Sequence, residues 1–174
     1  MLPLESVPNF SEGRDAATIE AIASALSQGV RLLDVHSDPD HHRSVFTVVG
    51  EDGPLVEALV GSVEVARDRI DLARHEGAHP RIGAADVVPL VPLQPTDMER
   101  AKAAARELGG RLGELGLPVF LYGELSPDRG PAFFRRGGTE ELAARLADGL
   151  TPDFGPGELH PTAGAVIVGA RRPL

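Results

Sequence analysis

A short turn between two runs of β-branched residues constrains the fold more than any other feature of this sequence. Val30 to Val35 and Ser44 to Gly50 have the composition of strands, and Ser37-Asp38-Pro39-Asp40 between them is typical of a tight turn. Parallel neighbours need a crossover of about a dozen residues or more, so these two strands must pair antiparallel. Elsewhere strands alternate with helical patterns. The sequence therefore predicts a mixed sheet in an α/β fold.

The remaining segments predict strands and helices in alternation along one domain. Asp15 has the character of an N-cap, and an apolar stripe at helical spacing follows it. Pro89 and Pro92 fall within a strand and favour an edge position or a bulge, because proline cannot donate to a ladder. Strands are predicted at 4–10, 30–35, 44–50, 85–93, 118–122 and 163–169, and helices at 16–26, 54–75, 96–115 and 139–150.

Composition limits the classes of partner. The net charge is −9 over 174 residues, which argues against nucleic acid or an anionic membrane as a partner. Cysteine is absent, so disulfides, Cys-ligated zinc and a thiol nucleophile are excluded. The N-terminal residues lack the pattern of a signal peptide, and the apolar runs fall far short of the ~20 residues that span a bilayer. We therefore expect a cytoplasmic protein.

Five of the six histidines gather in two clusters, around 36–42 and 75–79, and His160 lies apart from them. His75 and His79 have the i, i+4 spacing of a zinc-binding helix, but Gly77 and Pro80 argue against a continuous helix across both. A structural interpretation places His75 at a helix end, where the dipole favours a cation. His79 stands in a loop before a buried strand, and histidine exchanges protons near neutral pH. His79 is therefore a candidate acid–base group, with a purely structural role as the alternative.

Acidic and basic side chains offer further candidates. Asp34, Asp38 and Asp40 surround His36; they could orient a histidine, bind a divalent ion or simply form the turn, which we favour. Guanidinium groups bind carboxylates in a bidentate fashion, so arginines are candidates for an anionic ligand. The candidates are Arg43, Arg81, Arg135, Arg136, Arg171 and Arg172. The residues alone support an α/β domain with a candidate histidine site.

Several loop segments resemble the glutamate formiminotransferase family in order and spacing. They are VPNFSEG at 7–13, DPDHHRSVFT at 38–47 and HEGAHPRIGAADVVP at 75–89, followed by PVFLYG at 118–123, PDFGP at 152–156 and GAVIVGAR at 164–171. The resemblance covers essentially the whole chain and implies a two-layer α/β sandwich with helices mainly on one face of a mixed sheet. It also implies that residues 1–174 form the N-terminal subdomain, with a second, C-terminal subdomain absent from this chain.

The resemblance implies a folate-dependent transferase of histidine degradation. The family moves the formimino group of N-formimino-L-glutamate to tetrahydrofolate, a co-substrate, and His79 matches its catalytic acid/base. No metal is implied. Asn9, Arg43 and Arg81 fall at motif positions and are expected to hold substrate. The family's folate-contacting segment matches 155–164, which makes folate contacts expected at Gly155, Pro156, Gly157 and Gly164.

Two alternatives stay open beside this interpretation. The first is a non-catalytic folate-binding or assembly subunit that needs a separate second subdomain, supplied by a homodimer or a partner chain. The second is a metal hydrolase that uses His75, His79 and the aspartate cluster. His42 stands where the family commonly has Asn, so a polar contact at the site is expected to differ.

Overall fold

A computed structural model describes residues 1–77 and 81–173. Within these ranges short 3-10 turns lie at Leu72–Arg74 and Pro95–Asp97. The α-helices are α1 (Ala16–Ala25), α2 (Asp52–Arg69), α3 (Met98–Glu114), α4 (Pro131–Arg135) and α5 (Gly138–Ala147). The strands are β1 (Leu4–Ser6), β2 (Asn9–Phe10), β3 (Arg31–Asp38), β4 (Arg43–Gly50), β5 (Ala85–Pro92), β6 (Val119–Gly123) and β7 (Val166–Ala170).

All the described strands join one seven-stranded mixed sheet. β3 and β4 form an antiparallel hairpin, as the tight turn predicts. β4 pairs antiparallel with both β1 and β2, which in turn pair antiparallel with β5. β5, β7 and β6 run parallel, since the helices between them provide the crossovers. The predicted mixed sheet is confirmed.

Helices α1, α2 and α3 cover one face of the sheet. α1 packs on α2, α2 on α3, and α3 on β5, β6 and β7. Their core includes Phe10, Phe46, Leu59, Val88 and Leu108, all fully buried. On the opposite face the short helices α4 and α5 bring Phe134 and Leu142 onto Phe120 and Ile167. The α/β sandwich with helices mainly on one face is thus confirmed.

Of the two arrangements that the prolines of β5 favour, the edge position is wrong, whereas the register of the β2–β5 ladder does shift between Asn9 and Phe10. β5 lies in the interior of the sheet, between β1 and β2 on one side and β7 on the other. Ser6 pairs with Leu90 and Asn9 with Val87, so the link between β1 and β2 faces Pro89. The Ser6 hydroxyl donates to the Pro89 carbonyl at 2.6 Å in this gap. The ladder is interrupted where proline cannot donate.

The second helix is shorter than its apolar pattern predicts. Asp15 caps α1 as expected, because its carboxylate accepts the Ala17 N–H. α2, however, ends at Arg69, since Ile70 is extended and the Asp71 carboxylate caps the next 3-10 turn. His75 follows that turn and lies on no helix, so it is not one half of a helical zinc motif. No described helix is long and apolar enough to cross a membrane.

Candidate functional site

Two loops meet where the strongest sequence motifs come together. The turn between β3 and β4 carries His41 and His42, and the segment after the 3-10 turn carries His75 and Arg81. Arg81 donates from Nη1 to the carbonyl oxygen of His42 at 2.6 Å and from Nη2 to that of His41. The rings of His42 and His75 stack with centroids 4.1 Å apart. The two loops therefore hold each other in place.

Both stacked histidines favour the neutral form. Burial lowers the pKa of His75 to about 4, and the charge of Arg81 adds to the effect. Burial also lowers the pKa of His42, against the opposing influence of Glu12, whose Oε2 lies 3.2 Å from His42 Nδ1. His75 does end a helical segment, as the C-cap of the 3-10 turn, but its burial disfavours the expected cation. A neutral imidazole can accept from Arg81, whose Nη1 lies 3.0 Å from His75 Nε2.

The loop containing His79 is anchored on both sides, although His79 itself lies outside the described residues. Gly77 precedes it and Arg81 follows it. A Cβ at Gly77 would lie 2.6 Å from Nη2 of Arg81 and 2.7 Å from the carbonyl oxygen of His41. The missing side chain at Gly77 therefore leaves room for the Arg81 guanidinium to reach the β3–β4 turn. The role of His79 stays a prediction.

A cavity of about 320 Å³ opens on the sheet face that carries α4. Asn9 and Arg43, two of the predicted substrate-binding residues, line it together. Tyr122 from β6, Arg135 from α4 and Arg171 after β7 complete its polar lining. We name this space the arginine cavity. The cavity brings Asn9 and Arg43 together with Arg135 and Arg171. The sequence indicated these last two only as members of a larger group of candidate arginines.

Asp86 connects the arginine cavity to the Arg81 loop. Its carboxylate is buried, and Oδ1 accepts the backbone N–H groups of Ile82 at 2.8 Å and Gly83 at 3.1 Å. Oδ2 accepts from Arg135 Nε at 2.7 Å. Sequence reasoning did not single out Asp86; the available signal was one carboxylate within an otherwise apolar strand. Tyr122 was missed as well, because only the fold places it beside Arg135.

Positive charge accumulates around Arg81. Its pKa is lowered by burial and, more weakly, by the nearby charges of Arg43, Arg135 and Arg14, whereas Asp86 opposes the shift. This basic region belongs to a chain with a net charge of −9. Guanidinium groups held close together repel one another unless an anion lies between them, so the region is suited to an anionic ligand.

The glycines of the predicted folate segment lie at two separate places in the fold. Gly164 has a φ of +67° and bridges to Gly83, where a Cβ would collide with the carbonyl oxygen of Ile82. Gly155 has a φ of +81° and lies against Leu117 at the end of α3. Packing of the chain against itself is therefore sufficient reason for glycine at both positions.

Gly164 and the residues near 155 also face different surroundings. Gly164 borders a hollow of about 350 Å³ with Leu72 and His160, and Leu72 also borders the hollow beside Arg81. Gly155, Pro156 and Gly157 follow Phe154, which bridges to Val119 at the first residue of β6. The arginine cavity instead includes Tyr122, near the other end of β6. The structure therefore brings Gly164, but not 155–157, close to Arg81.

The aspartate cluster around His36 has the arrangement of a turn. Asp38 accepts the N–H groups of Asp40 and His41, and its second oxygen contacts the His41 ring. These bonds hold the pKa of Asp38 down to about 2, with the His41 ring as the main cause. Across 1–77 and 81–173, no three His, Asp or Glu side chains gather as metal ligands would.

The fold and these loops define an α/β domain whose motif loops close beside an arginine-lined cavity. The sequence profile of the formiminotransferase domain, N-terminal subdomain, matches residues 3–171, and the chain belongs to this family. The resemblance predicted from the loop segments is thereby confirmed.

Curated relatives are similar along nearly the whole chain. Identity is 40% with a glutamate formimidoyltransferase of Streptococcus pyogenes serotype M1 and 45% with one of Thermoplasma acidophilum, covering 98% and 97% of this chain. A formimidoyltransferase-cyclodeaminase of Sus scrofa is 42% identical over 97% of the chain. The chain spans 60%, 58% and 32% of the lengths of these three relatives.

Proposed function

We propose that this chain contributes to a glutamate formimidoyltransferase, which moves the formimino group of N-formimino-L-glutamate to tetrahydrofolate in histidine degradation. The observation that carries the proposal is the 40–45% identity with proteins named for this activity, over nearly the entire chain. The arginine cavity supports it, because both substrates carry carboxylates and an acidic protein needs a local basic site to bind them.

The reaction requires one group that can both accept and donate a proton. The N5 amine of tetrahydrofolate attacks the amidine carbon, and a tetrahedral intermediate forms. The amine loses a proton, and the glutamate nitrogen must gain one before its bond to carbon breaks. We propose that His79 carries this proton, since histidine is a side chain that can both accept and donate a proton in catalysis.

The other predicted site residues have distinct proposed roles. Asn9 and Arg43 line the arginine cavity and bind the glutamate portion of a substrate. Arg81 is bonded to the β3–β4 turn, so it fixes the His79 loop while adding positive charge beside the cavity. Gly155, Pro156, Gly157 and Gly164 belong to the segment proposed to contact folate. Of these, Gly164 lies nearest to the Arg81 loop.

A second subdomain is proposed to complete the site. Phe46 and Val48 of β4 point into the core beneath the long helices, so Val45, Thr47 and Val49 face the other side, where they are half-buried. The matching profile is that of an N-terminal subdomain. We propose that a C-terminal subdomain, or a second copy of this chain, covers this open sheet face. Substrates would then bind between the two layers.

The test combines binding and turnover on the same protein. The chain is titrated with 5-formyltetrahydrofolate and then assayed for formimino transfer, alone and with the C-terminal portion of the Thermoplasma acidophilum relative. Binding and turnover in the combined sample support the proposal. Binding without turnover in both samples supports the alternative, a non-catalytic folate-binding subunit. Absence of binding in both samples contradicts a folate-dependent role.

A further inference from the structure

Each of the stacked histidines faces a donor and an acceptor with the same ring nitrogen. His42 Nδ1 accepts the Gly13 N–H at 3.0 Å, yet Oε2 of Glu12 lies 3.2 Å from the same atom. His75 Nε2 lies 3.0 Å from Arg81 Nη1 and 3.2 Å from the carbonyl oxygen of His42. One ring nitrogen cannot bond to both partners, because it either carries a proton or offers a lone pair. The protonation state of each ring therefore selects its partner.

The neutral form of His75 fits the observed position of Arg81. Arg81 Nη1 donates to the carbonyl oxygen of His42 at 2.6 Å, and it can also donate to His75 Nε2 only if that atom has a lone pair. A proton on Nε2 would instead be donated to the His42 carbonyl, the acceptor that Arg81 uses. It would also place an imidazolium 3.0 Å from a guanidinium. Protonation of His75 therefore works against the bonds that hold Arg81 on the β3–β4 turn.

Glu12 gives His42 a second arrangement in acid. Glu12 Oε2 accepts the backbone N–H groups of Arg14 and Asp15 at 3.0 Å each, which holds the carboxylate beside the ring. A neutral His42 Nδ1 bonds to the Gly13 N–H, whereas a protonated one donates to Glu12 and loses the Gly13 bond. The bond between the loop after β2 and the β3–β4 turn therefore also depends on a neutral ring.

The charged groups around the two rings oppose their protonation overall. Burial is the main cause of the lowered pKa of His42; Arg14 and Arg81 add to the effect, and Glu12 opposes it. Burial also lowers the pKa of His75 to about 4, followed by the charges of Arg81 and His42, with Glu12 again opposing. Both rings are therefore neutral at neutral pH. Their bonds to Arg81 and Gly13 are lost as the pH falls through pKa values that lie below 6.5.

We propose that His42 and His75 are positioning residues, whose neutral, stacked rings hold Arg81 in place beside the proposed acid–base site. The role rests on the proposed function, because Arg81 follows His79 by two residues in the sequence. Neither ring is assigned a contact with substrate. His75 acts through its bond to the guanidinium, and His42 acts through its carbonyl oxygen and the stacked contact, with ring centroids 4.1 Å apart.

The first test follows the rings and the guanidinium by NMR, without turnover. Histidine and arginine are isotope-labelled, and His42→Gln, His75→Gln and Arg81→Lys assign the signals. We expect separate Nη1 and Nη2 signals for Arg81 at neutral pH, since bonds to two carbonyl groups prevent rotation of the guanidinium. These signals should merge with the same midpoint as the titration of the His75 ring. Backbone amide signals of β5 should stay unchanged and show that the chain is folded.

Matched variants separate protonation from packing. His42→Asn suits the left-handed φ of +51° and keeps an acceptor for the Gly13 N–H, and His75→Gln keeps an acceptor for Arg81. Neither new side chain is protonated in this range. A chain with both changes should therefore keep separate Arg81 signals in acid where the wild-type chain has lost them. His36→Gln, at an exposed position on β3, is the control and should behave like the wild-type chain.

Rescue by a conservative variant connects the pair to the proposed reaction. Formimino transfer is measured at neutral pH with the C-terminal portion of a relative present. His75→Ala removes the acceptor for Arg81 and should lower the rate about tenfold, the effect of one lost charge-assisted hydrogen bond. His75→Gln should restore most of the rate, and His36→Gln should leave it unchanged. Thermal melts confirm that each variant is folded.

Three results would overturn the proposal. One is an Arg81 that rotates freely at neutral pH or stays fixed while the His75 ring titrates. Another is loss of the separate Arg81 signals at the same pH in the chain with both changes. The third is wild-type transfer by His75→Ala. Absence of transfer in every sample, beside the expected NMR result, would support the positioning of Arg81 and count only against the proposed transferase activity. The two proposals therefore fail separately.

Discussion

The stacked histidines show how single residues set the chemistry of the motif loops. His42 has a φ of +51°, in the left-handed region that β-unbranched polar residues tolerate at a cost. The Gly13 N–H donates to His42 Nδ1 at 3.0 Å, which ties the loop after β2 to the same turn. His42 thus connects the three motif loops that the sequence made conspicuous. His42 therefore has a structural role in this chain.

The low pKa of His75 predicts a loss of stability in mild acid. The pKa is about 4 in the folded protein and 6.5 for an ordinary histidine, so the unfolded chain binds more protons between these values. Stability is therefore complete above about pH 6.5 and decreases as the pH falls toward 4. Solvent reaches part of this site, so we expect a cost on the order of 1–2 kcal/mol and a fall in Tm of a few degrees.

A matched variant isolates this contribution from the carboxylates that titrate nearby. His75→Gln keeps a polar side chain that can accept from Arg81 but cannot be protonated in this range. Its melting temperature should depend less steeply on pH between 6.5 and 4 than that of the wild-type chain. Equal slopes for the two proteins would show that His75 is not held neutral by the fold.

Some secondary-structure elements can be predicted from signals in neighbouring residues. The tight turn predicts the β3–β4 hairpin, and Asp15 predicts the start of α1, because both signals act within a few residues. The interior position of β5 was missed. Its prolines are tolerated only because the link between β1 and β2, some eighty positions earlier, leaves a gap in the ladder. Such a long-range arrangement leaves no local signal.

The candidate site was predictable to a similar extent. Asn9, Arg43 and Arg81 followed from motif segments, since loop sequences of this kind are not demanded by a generic fold. The presence of Arg135, Arg171 and Tyr122 beside Asn9 and Arg43 could not be predicted. They come from three separate parts of the chain that meet at the arginine cavity only after folding. The glycines near 155–164 were assigned to folate, but the close approach of backbone atoms also requires glycine at two of them.

The need for glycine in the packing of this segment gives a prediction for the residues between α5 and β7. Gly164→Ala places a Cβ against the Ile82 carbonyl at a positive φ, and we expect a loss of about 1–3 kcal/mol in the free energy of unfolding. Gly157→Ala is the matched change, because a Cβ at Gly157 would have open space around it. Urea unfolding of both variants tests this. Equal stability of the two would mean that Gly164 is not needed for packing.

The described part of the molecule combines a net negative charge with the basic arginine cavity and with a sheet face that is open at β3 and β4. The arginine cavity is a local basic site in a chain with a net charge of −9. Such a site favours the binding of small anions over extended polyanions, which the rest of the surface repels. The edge strand β3 adds exposed apolar side chains, since Leu33 is 52% and Val35 41% exposed, although Val35 pairs with Phe46 and so lies on the helix side of the sheet. Exposed apolar side chains on a sheet edge are characteristic of surfaces that meet another protein.

This exposure predicts association of the isolated chain. We expect light scattering at micromolar concentration to give the mass of a dimer, because the open face buries apolar area against a second copy. Val45→Glu places a charge on that face and should yield a monomer. Gln28→Glu, at an exposed position after α1, should leave the dimer intact. A monomeric wild-type chain would contradict self-association and leave the face to a second subdomain.

The central claim is tested most directly by the rate of formimino transfer in a His79→Ala variant, measured with the C-terminal portion of a relative present. Arg74→Ala is the control, since Arg74 is 90% exposed in the same segment. If His79 shuttles the proton, its removal should lower the rate about 10²–10⁴-fold while the variant stays folded and still binds folate. The control should retain the wild-type rate. Transfer by His79→Ala at that same rate would contradict the account.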